Sequence, residues 1–500
     1  MDQRLEQFLE NFARLADAAT TRLADHQGEQ LWDVLADHLG RDADGIPAVL
    51  EEFGGHRLAD ASILLSGIEG ISRITGWGSE ERHHLSLGDL LQNRQYHRAP
   101  VAAADYRTVA VGPDESRRII DNGLFLLDGK FGRLAVLLRG PNPQYGRPSA
   151  GLEILGGNPD QVDAFSAWFR TTLRTQSIYR GHVVSFTGNE YEPTTGGVTF
   201  HHRPQLRAEE LILPPGLLGK VEQQVIDLGL RRDAMRRAGQ HLKRGVLLYG
   251  PPGTGKTHTV RYLLSRSTGT TAILLSAGSL ALVAEAARMA RALQPSIVVL
   301  EDCDLVAEDR GFGPGSQPML FELLEAMDGL DADADVAFVL TTNRVESLER
   351  ALAQRPGRVD LAVEIPKPGQ DERRALLDLY AGSLGFSAQA LDHAAAETAG
   401  TTASFAKELV RRAVLAAALQ DQDVADADLE AAVRELMAAE SALTRSLLGA
   451  GDTDPDGGGD GDGVRDFGGT SGALAMGSSF GWFPSSGGPA GAPGFTDEEQ

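Results

Sequence analysis

The sequence predicts an α/β protein whose centre is a doubly wound parallel sheet between residues 205 and 370. Helical stretches separate the apolar runs of this region, as a parallel sheet requires. A glycine-rich stretch, "GPPGTGKT" (250–257), directly follows the first run. The runs have the length and composition of strands buried on both faces: they are "GVLLY" (245–249), "AILLS" (272–276), "IVVLE" (297–301), "VAFVLTT" (336–342) and "LAVEI" (361–365).

The 204 residues before this sheet are predicted to form a helical region, a connector and a small α+β module. Residues 1–70 show helical hydrophobic spacing at 4–26, 32–39 and 58–65. Residues 71–105 are polar and irregular, which indicates a connector. Residues 106–204 combine strand-like segments with an amphipathic helix at 162–173, and Asp128-Gly129 is typical of a hairpin turn.

The 130 residues after the sheet divide into two parts of different composition. Residues 371–446 are rich in Ala, Leu, Glu and Arg and are predicted to form a small helical domain. Residues 447–500 are dominated by Gly, Asp, Ser and Pro and are predicted to be a disordered acidic tail. The tail begins like a calcium loop at 452–457, but Gly463 stands where the loop needs a bidentate Glu. A solvated linker is therefore the better interpretation.

Composition excludes several classes of function. Five hundred residues are too many for one core, so several domains are expected. A net charge of -23 argues against a general nucleic-acid or anionic-membrane binder. The one cysteine, Cys303, cannot form an intramolecular disulfide and is predicted to be a buried packing residue. No apolar run approaches the length of a membrane span, so a cytoplasmic protein is expected. The excess of arginine over lysine suggests a GC-rich bacterial gene.

The glycine-rich stretch matches the phosphate-binding pattern G-x-x-x-x-G-K-[ST] between a predicted strand and a predicted helix. Gly253 and Gly255 let backbone N–H groups turn inward, and the helix adds the positive end of its dipole. Lys256 is expected to reach the β- and γ-phosphates of ATP, and the Thr257 hydroxyl to ligate Mg²⁺. The residues predicted to bind the nucleotide are Gly250, Pro251, Pro252, Gly253, Thr254, Gly255, Lys256, Thr257 and His258.

A second set of candidate residues ends the third strand of the sheet, in "SIVVLEDCDL". Glu301 and Asp302 follow four buried aliphatic residues. Carboxylates at the carboxyl edge of a parallel sheet, beside a phosphate loop, can hold the hydrated Mg²⁺ and activate the attacking water.

With these motifs, residues 205–445 resemble the AAA family of ring-forming ATPases. "FVLTTNRVESLERALAQRPGRVD" (338–360) resembles the family's second region of homology, "LFELLEAMDGL" (320–330) the helix before its sensor strand, and "TAGTTASFAKELVRRA" (398–413) its lid over adenine. The resemblance implies that Asn343 is a sensor that helps to place the water. It also implies that Arg355 and Arg358 reach the γ-phosphate bound by the neighbouring subunit, in a homo-oligomeric ring that is expected to be a hexamer.

Three departures from the family pattern shape the expectation. The family usually reads Asp-Glu at the strand end, so by position Glu301 takes the Mg²⁺ role and Asp302 the role of catalytic base. Ala403-Ser404 stands where a Gly-Ala pair is usual. Ring unfoldases carry an aromatic pore loop where this chain has "SAGSLALVAEAARMARALQPS", without an aromatic residue. The Glu-Asp order and the missing pore aromatic, together with "ELILPP", resemble the mitochondrial AAA chaperone that translocates the folded Rieske protein, and its bacterial relatives.

Two functions are therefore expected from the sequence. The first is a Mg²⁺-ATP hydrolase that remodels or translocates a protein partner, bound by the residues before 205. The alternative is a nucleotide-gated scaffold whose ATP-bound state, and not its turnover, is functional.

Remodelling of nucleic acid is disfavoured by the net negative charge of the chain. A zinc protease is disfavoured because no His is followed by Glu, and the adjacent His pairs at 83–84 and 201–202 make poor metal sites.

Overall fold

The computed structural model describes residues 29–78, 80–94, 96, 98–189, 192–276, 279, 282–303, 333–345, 359–438 and 448. Four predictions fall outside these residues: the helix at 4–26, the helix at 320–330, the arginines at 355 and 358, and, apart from Leu448, the disordered tail.

The amino-terminal part folds around an antiparallel sheet of seven described strands. Their order is β1-β7-β6-β5-β2-β3, and β4 pairs with the first half of β5. The strands are β1 (Val49–Phe53), β2 (Ile71–Trp77), β3 (Val101–Ala102), β4 (Asp105–Ala110), β5 (Ser116–Gly129), β6 (Gly132–Arg139) and β7 (Ala150–Gly156).

Helices cover both faces of this sheet. Leu124 and Leu126 of β5 pack with α1 (Leu31–Leu39) and α3 (Leu87–Gln92). Phe125 and Leu127, which point the other way, pack with α2 (Leu58–Ser66) and α4 (Pro159–Thr175). Two-sided burial explains why β5 and β6 are continuous apolar runs, without the alternation of a half-exposed strand.

The structure differs from the sequence prediction in this region. Strands β1 and β2 lie in segments predicted as helical and as connector, because pairing with β7 and β5 outweighs their polar local composition. The β5–β6 reversal lies at Lys130–Phe131, two residues after the predicted turn, since Gly129 still pairs with Gly132. Gly132 has φ of 78°, which a residue with a side chain rarely adopts.

The second sheet, also of seven described strands, contains the five predicted parallel strands. Its order is β14-β10-β13-β12-β11-β8-β9. The segments "HVVSF" and "GVTFHH", predicted from sequence as two strands of the small module, form a hairpin that extends this second sheet, because β8 pairs with β9 and, in parallel, with β11. The strands are β8 (Val183–Asn189), β9 (Glu192–His201), β10 (Arg244–Tyr249), β11 (Thr271–Leu275), β12 (Ser296–Leu300), β13 (Val336–Thr342) and β14 (Leu361–Glu364).

Helices precede, flank and follow this sheet. A helical segment with a π turn at Gln223–Asp227 leads into β10. A helical domain, with four helices among its described residues and a core around Phe405 and Leu409, follows β14. The helices are α5 (Leu217–Glu222), α6 (Leu228–Leu230), α7 (Arg232–Arg237), α8 (Lys256–Arg266), α9 (Val283–Ala292), α10 (Gln370–Ala381), α11 (Ala388–Glu397), α12 (Ala403–Ala418) and α13 (Asp426–Met437).

A buried polar contact joins the small module to the second sheet. Asp60 accepts hydrogen bonds from the Ser177 hydroxyl (2.8 Å) and the Ile178 backbone N–H (2.7 Å), and it pairs with Arg57. Next to it, the Nδ1 atom of His56 lies 3.1 Å from Oε1 of Glu285 on α9. Burial lowers the pKa of His56 to about 4, although the charge of Glu285 acts in the opposite direction.

Candidate functional site

The phosphate loop connects β10 to α8 and depends on three glycines in left-handed conformations. Gly250, Gly253 and Gly255 have φ of 139°, 76° and 111°. A Cβ atom at Gly250 would collide with the carbonyl oxygen of Ile365, which follows β14. The loop therefore turns its backbone tightly against the neighbouring strand and delivers the chain into the first turn of α8.

Lys256, the first residue of α8, lies folded over this loop. Its ammonium group donates hydrogen bonds to the carbonyl oxygens of Gly250 and Pro251, both at 2.8 Å. Its side chain is 6% exposed. A buried ammonium needs acceptors, and the loop carbonyls provide them beside the N–H groups that a phosphate would bind.

The other predicted nucleotide-binding residues lie around this lysine. The Thr254 hydroxyl donates to the Pro251 carbonyl at 3.0 Å, which closes the loop on itself. Thr257 is half-buried in the first turn of α8, whereas Pro252 and His258 are exposed. Partial loss of hydration, together with the positive charges of Arg261 and Lys407, lowers the pKa of His258.

The two candidate acids leave the sheet directly after β12. The backbone N–H of Glu301 still donates to Leu275 of β11 at 3.0 Å, so the half-buried Glu301 continues the strand pairing. Asp302 leaves the pairing: it is exposed and has φ of 53°. A left-handed backbone is uncommon for a residue with a side chain and frequently marks a functional position.

Asn343, the predicted sensor, meets Asp302 because β12 and β13 are adjacent and parallel. Leu300 pairs with Leu340, so the residues that follow each strand lie at the same edge of the sheet. The Asn343 amide Nδ2 donates to Oδ1 of Asp302 at 3.4 Å. The structure thus brings the phosphate loop, the acids and Asn343 to one edge; Arg355 and Arg358 lie outside the described residues.

The helical domain reaches the phosphate loop through the start of α12. The Ser404 backbone N–H donates to the Gly253 carbonyl at 3.1 Å. The hydroxyl of Thr402, the residue before α12, accepts from the Phe405 N–H at 3.3 Å and donates to the Leu448 carbonyl at 2.7 Å. Thr402 was not predicted as a site residue, although a threonine before an apolar helix is a capping signal.

The remaining candidates lie away from this edge or have structural contacts. Cys303 is buried, and its backbone N–H donates to the Thr341 carbonyl at 2.9 Å, in line with the predicted packing role. The ring of His201 contacts the Ser185 hydroxyl at 2.7 Å, whereas His202 lies 3.1 Å from Asp114. These neighbours therefore point to different partners, as expected for adjacent strand residues.

The chemistry of this edge fits ATP with Mg²⁺. The loop offers backbone N–H groups and an ammonium for phosphate, and Thr257 and Glu301 offer the hard oxygen ligands that Mg²⁺ prefers. Within the described part of the chain, no group of three or more His, Cys, Asp or Glu could hold a metal by itself. Mg²⁺ at such a site is usually completed by substrate phosphates and water.

Comparison with known proteins agrees with this geometry. Residues 246–367 match the model of the "ATPase family associated with various cellular activities (AAA)". The chain is similar to two proteins named proteasome-activating nucleotidase. One, from Methanothermobacter thermautotrophicus, is 29% identical over 54% of this chain and 69% of its own length. The other, from Methanoculleus marisnigri, is 32% identical over 47% of this chain and 60% of its own length.

A bacterial protein shows a similar but shorter match. The ATP-dependent zinc metalloprotease FtsH 2 of Sorangium cellulosum is 33% identical over 43% of this chain and 38% of its own length. Among the helices that the structure describes, none is long and apolar enough to cross a membrane.

Proposed function

We propose that this chain, an ATPase of the AAA family that uses ATP with Mg²⁺, assembles as a homo-oligomeric ring, most simply a hexamer, and uses ATP turnover to remodel or translocate a protein partner. The observation that carries this proposal is the shared edge of the second sheet, where the phosphate loop, Asp302 and Asn343 lie together. The similarity to proteasome-activating nucleotidases and FtsH proteins supports a protein, and not a small molecule, as the substrate that ATP turnover acts on.

In the proposed reaction, each residue of this edge has a distinct role. Lys256 and the loop N–H groups bind the phosphates, and Thr257 and Glu301 hold Mg²⁺, which supplies charge neutralisation. Asp302 accepts the proton of the attacking water, and Asn343, which donates to the Asp302 carboxylate, helps to place that water. Arg355 and Arg358 of the neighbouring subunit stabilise the charge on the γ-phosphate, so hydrolysis depends on assembly.

We propose that the small module binds the protein partner. Its contact with α9 provides a path by which ATP turnover could move the module. The turn that contains His56 contacts Glu285 in the first turn of α9, just after the segment that forms the pore loop in ring unfoldases. That segment, 276–282, has no aromatic residue. We therefore favour partner movement by the module over threading of an extended chain. We also propose that the chain is related to the bacterial relatives of the Rieske-translocating chaperone and that it is cytoplasmic.

A trapping experiment tests the proposal. The Asp302→Asn variant is expressed in the organism that carries the gene and purified with ATP and Mg²⁺, and the particle mass and co-eluting proteins are measured. We expect a ring-sized particle that retains one protein and releases it when ATP is removed. The Lys256→Ala variant is the matched control, because it should bind ATP more weakly, hydrolyse it slowly and retain no partner. A monomer in every nucleotide state would contradict the shared site.

The alternative function is a nucleotide-gated scaffold, favoured by the missing aromatic in 276–282. It predicts ATP-dependent assembly of the wild-type chain with very slow hydrolysis, and a trapped ring that retains no substrate. Steady-state turnover measured on the assembled particle separates the two functions.

The arginines provide an independent test of assembly. Arg355→Ala and Arg358→Ala should each lower turnover while ATP still binds, because a γ-phosphate without its arginine loses transition-state stabilisation. If both variants hydrolyse ATP at the wild-type rate, the neighbouring subunit does not complete the site.

A further inference from the structure

Thr341, a residue that no motif singled out, contacts the backbone of both residues that follow Glu301. Its hydroxyl Oγ1 accepts a hydrogen bond from the Asp302 N–H at 3.1 Å. Its carbonyl accepts one from the Cys303 N–H at 2.9 Å. Thr341 is 1% exposed, so these are buried contacts that water cannot easily replace.

These two hydrogen bonds act where the regular strand pairing ends. The last registered pair of β12 and β13 is Leu300 with Leu340, and the Asp302 backbone then turns into the left-handed region with φ of 53°. This conformation costs free energy for a residue with a side chain and persists only when its surroundings impose it. At this point the Thr341 hydroxyl, and not a backbone carbonyl of β13, accepts the hydrogen bond of the Asp302 N–H.

Thr341 is the penultimate residue of β13, and Asn343 directly follows this strand. One binds the backbone N–H of Asp302 and the other binds its carboxylate, with Asn343 Nδ2 3.4 Å from Oδ1. The backbone and the carboxylate of Asp302 therefore both bind residues at the carboxyl end of β13. An aspartate is one methylene shorter than glutamate, so its reach depends more strongly on where its backbone lies.

We propose that Thr341 is a positioning residue for ATP hydrolysis: it holds the Asp302 backbone in the left-handed conformation that places the carboxylate beside Asn343. This inference rests on the proposed role of Asp302 as the base. It assigns to Thr341 no contact with the nucleotide, and it predicts an effect on the rate of the chemical step without an effect on ATP affinity.

The test begins with Thr341→Val, which keeps the shape of the side chain and removes the hydroxyl. We expect kcat to fall about 10- to 100-fold, the range that a misplaced catalytic group can cost, while the Kd for ATP stays within about twofold of the wild type. Thr341→Ser restores the hydroxyl and should recover most of kcat. Thr341→Ala, which adds no volume, should reproduce the loss if Thr341→Val does not fold.

The matched control is Thr271→Val. Thr271 is a buried threonine of β11 whose hydroxyl donates to the Leu293 carbonyl at 3.1 Å and accepts from the Gly181 N–H at 3.0 Å. The same substitution removes two buried hydrogen bonds from the same sheet, away from the acids. Thr271→Val should lower stability and leave kcat unchanged. If it lowers kcat as much as Thr341→Val, the effect of Thr341 is general destabilisation and the inference is wrong.

A double variant separates this inference from the proposed function. Once the base is absent, its position no longer matters, so Asp302→Asn with Thr341→Val should have the kcat of Asp302→Asn alone. A further loss equal to that of Thr341→Val would show that Thr341 acts elsewhere. Wild-type kcat in Thr341→Val with a large loss in Asp302→Asn overturns this inference alone. Wild-type kcat in Asp302→Asn overturns the proposed role of the base itself.

Discussion

The two sheets of the described chain have seven strands each but differ in where their polar groups lie. In the antiparallel sheet, Arg139 and Glu153 form an ion pair at 2.7 Å within the interior. In the second sheet, whose strands are parallel except for β9, Glu301, Asp302 and Asn343 lie beyond the strand ends. Parallel strands all finish at one edge, and their loops there can collect groups that are distant in sequence. In this chain, strand direction and not strand number therefore distinguishes the sheet that brings the candidate site residues together.

The polar groups of the two regions also differ in their exposure to solvent. Glu153 accepts from Arg139 and from the Leu87 backbone N–H at 2.5 Å, so its charge serves the fold. Asp302 is exposed and contacts Asn343 at the longer distance of 3.4 Å. The comparison predicts that substitutions in the first sheet change stability, whereas substitutions at the edge of the second change turnover.

The largest expected effect comes from breaking the buried pair of the first sheet. Arg139→Met leaves the Glu153 carboxylate buried without its cation, so the free energy of unfolding should fall by about 3–5 kcal/mol. Chemical denaturation measures this loss, and turnover per folded molecule should not change. Arg133→Met, on the same strand, is the control: Arg133 and Asp128 are more than half exposed, and such a pair contributes about 0–1 kcal/mol. Equal losses would contradict the role of burial.

The second effect concerns the phosphate loop. Lys256→Ala should lower turnover about 10²- to 10³-fold, because it removes the cation aimed at the developing phosphate charge. ATP hydrolysis measured at saturating nucleotide tests this. Lys130→Ala, an exposed lysine of the small module, is the matched substitution in the other region and should hydrolyse ATP at the wild-type rate.

A third, smaller effect is expected at the junction between the regions. Because the pKa of folded His56 is about 4 and that of an unfolded histidine about 6.5, the unfolded chain binds more protons between these values. Stability should therefore fall as pH decreases from 7, by about 2 kcal/mol at pH 5. Denaturation of the wild type and of His56→Gln across this range measures the difference. A wild-type curve parallel to that of the variant would show that His56 does not contribute.

The smallest effect separates the two helix caps of the helical domain. Thr402→Val and Ser387→Ala each remove a side chain that accepts from a helix N–H, at 3.3 Å and 3.1 Å. Each should cost about 1 kcal/mol of stability. Only Thr402 precedes Ser404, which contacts Gly253, so only Thr402→Val should also weaken ATP binding. Equal ATP affinity in both variants would argue against a link between this cap and the loop.

Much of the second sheet could be predicted from the sequence, and the reasons are physical. Strands β10 to β13 are short runs buried on both faces, whereas β14 is partly exposed. "GPPGTGKT" has a backbone requirement that few other sequences satisfy. The proximity of Asp302 and Asn343 followed from the rule that parallel strands end at one edge.

The parts that were missed depend on pairing that local sequence does not encode. Strand β2 reads as polar connector until Arg73 and Ile74 are seen paired with β5. The hairpin of β8 and β9 could belong to either sheet, and only its register with Ala272 to Leu274 decides. Thr341 gains its contact because the chain after β12 turns at Asp302. Tertiary pairing, and not residue preference, fixed each of these.

The proposed role of Asp302 as the catalytic base is tested most directly by the rate of ATP hydrolysis of Asp302→Asn, measured together with its Kd for ATP. If the carboxyl edge of the parallel sheet carries the reaction and Asp302 is its base, turnover should fall about 10²- to 10⁴-fold, while ATP binds with wild-type affinity. Turnover at the wild-type rate would show that Asp302 is not the base.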